Sequence, residues 1–221
     1  MLDPYLRPLI DPPLDAAGRV LARAGVRADA VTLAGLATGL AAAAAVAAEV
    51  FWLAALLIVA SRVADGLDGA VARASRRTDF GGFLDIACDF VFYAAIPMAF
   101  VLCDPEANAV AGAALLAAFY INGATFLGYA ILAERRGMTS TRHGSKTLYF
   151  TGGLLEGTET IVFFLILCAV PQHFAPLAWA FAALCLVTAS ARVALAWQVF
   201  GTGWTPARSG LDRTSTAIDK E

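Results

Sequence analysis

Of the five aspartates in the stretch DGLDGAVARASRRTDFGGFLDIACD, four, Asp65, Asp68, Asp85 and Asp89, lie on either side of a short basic linker and inside apolar sequence. Asp65 and Asp68 are spaced i, i+3 and Asp85 and Asp89 are spaced i, i+4. On two helices each pair therefore presents its carboxylates on one face, one above the other. A charged side chain at the middle of a membrane helix costs about 2.5–3.5 kcal/mol, so four unpaired ones would cost about 10 kcal/mol. A divalent cation is the counter-charge best suited to offset that. Oxygen donors at this density favour Mg²⁺, Mn²⁺ or Ca²⁺ over Zn²⁺. Three carboxylates can bridge two such ions, which leaves the fourth free to act as base toward an incoming hydroxyl.

Two neighbours of the carboxylates extend this chemistry. Gly69 weakens the helix it occupies but lets a backbone or a flat base approach closely. Arg73, one turn on, offers a diphosphate a fork of donors. Cations, a glycine gap and an arginine together describe a site for a nucleoside diphosphate at a membrane surface. Arg62, one turn before Asp65, offsets carboxylate charge.

The elements that must hold these residues are membrane helices. The chain of 221 residues is 59% hydrophobic and 15% charged, with mean hydropathy +0.69, which excludes an ordinary soluble domain. Apolar stretches at 31–48, 52–74, 80–103, 108–133, 152–171 and 174–200 are each long enough to cross a bilayer, giving an all-α polytopic protein of six spans. Residues 1–30 form a cytoplasmic, juxtamembrane segment, 31–200 the membrane domain and 201–221 a polar tail. Pro4, Pro8, Pro12 and Pro13 break the first part of the leading segment, and Leu14–Ala24 is helix-competent and suited to lie among headgroups. Met1–Arg27 lacks an apolar run, so no signal peptide is expected there. Cys88, Cys103, Cys168 and Cys185 have neither disulfide nor zinc spacing and are expected to pack in the spans.

Charge placement sets the orientation. All Lys and Arg residues except Arg62 and Arg192 fall in the two tails or in the connections after the second and fourth spans. By the positive-inside rule both termini are cytoplasmic, the membrane is the inner (plasma) membrane, and the aspartates lie at its cytoplasmic face. The short linker from Arg73 to Gly81 makes the second and third spans neighbours, so the four carboxylates face one gap. The basic residues follow the membrane surface, and no nucleic-acid partner is expected.

Asp65-x2-Asp68-Gly69-x2-Ala72-Arg73 followed by Gly81-x3-Asp85-x3-Asp89 resembles the signature of the CDP-alcohol phosphotransferases, or CDP-alcohol phosphatidyltransferases. Seven residues separate Arg73 from Gly81, one fewer than in the family, so the shortening belongs to the linker. Val31-Thr32 resembles the family's segment before the first span, with Ala28-Asp29 in place of its usual Pro-Asn. The resemblance implies that Asp65, Asp68 and Asp85 hold two divalent ions, Mg²⁺ or Mn²⁺, and that Asp89 approaches them and deprotonates the acceptor. It further implies that Gly69, Ala72, Arg73 and Gly81 receive a CDP-lipid donor, CDP-diacylglycerol, that an alcohol attacks the lipid-linked phosphate with loss of CMP, and that the protein is a homodimer in the bilayer.

The acceptor side has its own residues. Glu156 and Glu159 sit three apart in the cytoplasmic half of the fifth span, where they are costly, and Arg192 of the sixth span is their natural ion-pair partner. Arg142 and Lys146 lie in a basic loop at the same face and suit an acceptor phosphate, whereas the glutamates suit a polyol or a cation such as choline. Asn122, mid-span, suits an interhelical hydrogen bond. Two other readings place the aspartates differently. A membrane prenyltransferase needs its second aspartate cluster several spans later and has no use for Gly69-x2-Ala72-Arg73. A cation transporter needs polar residues continuing to the outer side, where these spans are apolar.

Overall fold

The computed structural model describes residues 3–138 and 157–201, and the side chains among them from residue 10 onward. Among these the protein is helical throughout, with α1 at Asp3–Arg23, α2 at Ala28–Ala47, α3 at Phe51–Ala74, α4 at Asp79–Cys103, α5 at Pro105–Arg135, α6 described over Gly157–Ala169, a 3₁₀ turn at Pro171–His173 and α7 at Phe174–Phe200. It is an all-α polytopic membrane protein. Among the described residues α2, α4, α5 and the run Pro171–Phe200 are long and apolar enough to cross a membrane. The 24-residue α3 reaches about 36 Å at the usual helical rise but carries Arg62, Asp65, Asp68 and Arg73. The described part of α6 has 13 residues, shorter than a span.

One expectation about the N-terminus needs correction. α1 does not begin after the prolines but runs from Asp3 through Pro12 and Pro13. Prolines spaced by four remove their backbone bonds along one side of a helix, which bends it rather than ends it. The later part of α1 is anchored by α3: a Cβ on Gly18 would sit 2.7 Å from the Ala70 Cβ, and one on Gly66 2.8 Å from Leu14.

Three helices stop in the same way. After α1, α2 and α5, the residues Gly25, Glu49 and Gly137 take positive φ. In each case the next residue's N–H returns to a carbonyl five positions back: Val26 to Leu21, Val50 to Ala45 and Met138 to Ala133. At the start of α5, Asp104 accepts from the Ala107 N–H at 3.0 Å and Pro105 occupies a position that needs no donor.

α2 packs on α3 and α4, α1 on α3, α4 on α5, α3 on α6, and α5 on α7. Glycines make the first of these contacts close. A Cβ on Gly39 would lie 2.6 Å from the Phe92 ring and 3.0 Å from Ser61 Oγ, and one on Gly35 3.2 Å from Ala64. The core between the two groups of helices is aromatic: Phe92, Phe100, Phe164 and Phe174 are fully buried, and Phe163 stacks on Phe181 at 4.0 Å. Cys88, Cys168 and Cys185 are buried and unpaired, Cys103 half-buried and unpaired.

Candidate functional site

The gap between α3 and α4 is set by their connection. α3 ends at Ala74 and α4 starts at Asp79, so only residues 75–78 join them. Thr78 caps α4 by accepting from the Gly81 N–H at 3.0 Å. The expected direct pairing of the two helices is not what forms: both pack mainly on α2, and α4 returns from the linker so that Asp85 comes beside Asp65 and Asp68 across a gap.

Asp65, Asp68 and Asp85 each place a carboxylate oxygen within 4.8 Å of the other two. Asp68 is buried, and its Oδ2 has no hydrogen-bond partner among the described residues. A buried carboxylate oxygen left bare in this way is costly unless a cation meets it. The donor set, all carboxylate and clustered, fits a hard divalent ion, and the orphaned Asp68 oxygen supplies the independent reason to place one there.

Asp89 is held differently. Its Oδ1 accepts from Arg62 Nη1 at 2.6 Å, and the same nitrogen lies 3.4 Å from Asp65 Oδ1. Arg62 Nη2 donates to Ser61 Oγ at 3.2 Å, and its guanidinium lies 4.0 Å from the centre of the Phe92 ring. Asp89 thus borders the cluster but is tied to an arginine rather than gathered into the triad.

The residues expected to receive a nucleotide follow on the next turns. Gly69 is half-buried, and a Cβ there would come within 3.3 Å of Arg73 Nη1. Ala72 is half-buried and Arg73 exposed. Arg73 donates through Nε at 3.1 Å and Nη2 at 2.7 Å to one oxygen of Asp15 on α1. Gly81 lies in the first turn of α4, where a Cβ would meet Thr78 Oγ1 at 3.0 Å and Asp29 of α2 at 3.3 Å, whereas Gly82 faces open space. Asp15 was not singled out in the sequence, because it reads as one more polar residue of a leading segment; its only signal is its place between Leu14 and Gly18, the residues that seat α1 on α3.

These residues and the fold match known proteins. The family model for CDP-alcohol phosphatidyltransferase matches residues 26–204. This chain belongs to that family. As a CDP-alcohol phosphatidyltransferase it is 46% identical over 193 residues to the inner membrane protein YnjF of Escherichia coli (strain K12), covering 87% of this chain and 94% of that one. Over 85 residues, 38% of this chain and 45% of the relative, it is 34% identical to an archaetidylinositol phosphate synthase of Pyrococcus horikoshii. Its fold resembles that of the Mycobacterium tuberculosis phosphatidylinositol phosphate synthase PgsA1 with CDP-DAG bound, with TM-score 0.68 at 19% identity over 88% of this chain and 98% of that one. A structure of PgsA1 with manganese and citrate gives TM-score 0.61 at 22% identity over 83% and 88%.

A second constellation of the phosphatidyltransferase lies between α5 and α7. Arg192 is buried and donates through Nη1 to the Asn122 carbonyl at 3.0 Å, the Asn122 side-chain oxygen at 2.9 Å and Thr125 Oγ1 at 3.0 Å. The partners that hold it are therefore on α5, where the sequence led us to expect a glutamate of the fifth span. Asn122 makes the interhelical bond expected of it, and Arg192 is the helix-to-helix partner. A cavity of about 210 Å³ is lined by Arg192, Thr125, Tyr129 and four neighbours, and both Arg192 Nε and the Tyr129 hydroxyl are buried without a described partner. Glu159 lies in the first turn of described α6 and is not among those lining residues. Glu156, Arg142 and Lys146 lie outside the described residues. A larger groove, about 570 Å³, runs beside this cavity, is lined mainly by apolar residues such as Ile121, Leu186 and Trp197, and does not touch the aspartates.

Proposed function

We propose that this phosphatidyltransferase moves the phosphatidyl group of a CDP-lipid, CDP-diacylglycerol, to an alcohol with release of CMP, in phospholipid biosynthesis. The observation that carries the reading is the bare, buried Asp68 oxygen inside the triad with Asp65 and Asp85, one residue before Gly69 and five before Arg73. Two related structures, solved with CDP-DAG and with manganese, support a CDP-lipid donor and Mg²⁺ or Mn²⁺ as the cation. Asp65, Asp68, Asp85 and Asp89 are the ligands available to two such ions. When bound, a divalent ion supplies charge that offsets the diphosphate and eases departure of CMP.

The chain's own residues do the rest. Gly69, Ala72 and Gly81 are small and leave room for the nucleotide against α3 and α4, and Arg73 turns its fork from Asp15 to the diphosphate. Asp89 accepts the proton of the acceptor hydroxyl. As it does so, the hydroxyl oxygen bonds to the phosphorus that carries the lipid, and the bond from that phosphorus to the bridging oxygen breaks. The bond's electrons leave on CMP.

The acceptor pocket we assign to the cavity between α5 and α7. Its unpartnered Arg192 Nε and Tyr129 hydroxyl suit an anionic oxygen, which supports a phosphorylated polyol as acceptor. On sequence grounds alone Arg142 and Lys146 are further donors for that phosphate, and Glu156 and Glu159, of which Glu159 does not line the cavity, suit polyol hydroxyls. The basic face is cytoplasmic, with both termini, by the distribution of Lys and Arg. Residues 1–30, 31–200 and 201–221 form juxtamembrane segment, membrane domain and tail, and two copies form a homodimer through the spans.

The test is turnover of CDP-diacylglycerol by purified protein with Mn²⁺ and a panel of glycerol 3-phosphate, inositol, inositol phosphate, serine, choline and phosphatidylglycerol, read by mass spectrometry of the lipid product. A phosphatidyl-polyol phosphate from one phosphorylated acceptor is the expected product. Product from choline or serine alone would overturn the acceptor assignment and leave the donor chemistry standing.

A further inference from the structure

The aspartate cluster brings its own cation. Arg62 stands on α3 one turn before Asp65, with its side chain only 15% exposed. It is fixed on several sides: Asp89 at 2.6 Å, Asp65 at 3.4 Å, Ser61 Oγ at 3.2 Å and the Phe92 ring at 4.0 Å from its carbon. Ser61 is itself fixed, since its hydroxyl donates to the Gly35 carbonyl at 2.8 Å. An arginine that only screened nearby charge would stay hydrated and mobile, with its guanidinium toward water. This one is built into the wall between α2, α3 and α4.

Its position divides the four carboxylates. Asp65, Asp68 and Asp85 approach one another within 4.8 Å, and the Asp68 oxygen among them is bare. Asp89 is engaged by Arg62, and Asp65 faces both groups. We infer that in the substrate-free enzyme Arg62 takes the place of a second divalent cation between Asp65 and Asp89, so that the resting site binds one ion, on Asp65, Asp68 and Asp85. This rests on the proposal that the site is divalent-dependent. A guanidinium and a divalent ion would compete for the same Asp89 oxygen, and two like charges this close repel. The planar, weakly hydrated fork is the side chain best able to replace an ion between two carboxylates. It also gives the metal-free protein a counter-charge for carboxylates that would otherwise be bare in the membrane.

The experiment counts Mn²⁺ per chain by electron paramagnetic resonance of free Mn²⁺ over purified protein in nanodiscs, without substrate. The expected counts are one ion for wild type, one for Arg62→Lys and two for Arg62→Gln, with the second ion bound at least about tenfold more tightly than any second ion in wild type. Metal-free Arg62→Gln should also melt lower than metal-free wild type and recover when Mn²⁺ is added. Two comparable ions in wild type would overturn the inference while leaving the metal reading intact. So would a single ion in folded Arg62→Gln. No Mn²⁺ bound to wild type would sink both. Should Arg62→Gln fail to fold, the wild-type and Arg62→Lys counts still decide.

Discussion

Arg73 and Asp15, 58 residues apart, join α3 to α1 through two guanidinium nitrogens on a single carboxylate oxygen. The arginine proposed to meet the donor diphosphate is thus engaged by α1. Both side chains are about two-fifths exposed, so the pair contributes at most about 1 kcal/mol to stability. Asp15→Asn is therefore expected to lower the melting temperature only slightly and to leave CDP affinity within a few-fold of wild type. Arg73→Ala, which removes the fork itself, should weaken CDP binding by roughly tenfold or more. Calorimetric titration of CDP into the three proteins checks the contrast.

The glycines of the helix contacts give a second, purely structural prediction. A methyl group at Gly39 would overlap the Phe92 ring and crowd Ser61, two of the groups that hold Arg62. Gly39→Ala should cost about 1–3 kcal/mol and disturb the site through Arg62. Gly82→Ala, two turns before Asp89 and facing open space, should be neutral or stabilise by up to about 1 kcal/mol. Thermal melts in one detergent, run side by side, report both.

Glu49 offers a gain. It takes φ of 59° at the end of α2, in the place that Gly25 and Gly137 fill after α1 and α5. A non-glycine residue there pays about 1 kcal/mol, so Glu49→Gly should raise stability by about that amount with turnover unchanged. A lowered melting temperature would mean that the Glu49 side chain contributes more than its backbone costs.

The cavity beside Arg192 predicts a split between stability and acceptor use. The Tyr129 hydroxyl is buried without a described partner, so Tyr129→Phe should cost no stability. If an acceptor oxygen meets that hydroxyl, the variant raises the acceptor KM several-fold with donor KM unchanged. Arg192→Lys should do the same more severely, because lysine cannot reproduce the bonds to Asn122 and Thr125 and still reach the acceptor.

The contrast between what could and could not be read from the chain follows sequence separation. Asp65 with Asp68, and Asp85 with Asp89, are helix-face neighbours, and a linker of residues 75–78 brings Asp85 back beside Asp65 and Asp68, although α3 and α4 pack mainly on α2 rather than on each other. Local periodicity therefore picked out three carboxylates that come together, Asp65, Asp68 and Asp85, and the charge pattern carried the expected orientation. The link from Arg62 to Asp89 spans 27 residues, and the link from Arg192 to Asn122 spans 70; both depend on how helices rotate against each other, which no local pattern encodes. Four prolines suggested a broken leading segment, whereas α1 runs through them and packs on α3 through its later part.

CMP release from CDP-diacylglycerol by purified wild-type protein, with Mn²⁺ and then with excess chelator, beside Asp68→Asn and Asp89→Asn, decides whether the aspartate cluster is the transfer site. Release that needs both metal and a phosphorylated acceptor, and that both variants lose while remaining folded, is the predicted result. Release that persists in chelator, or in either variant at the wild-type rate, would contradict it.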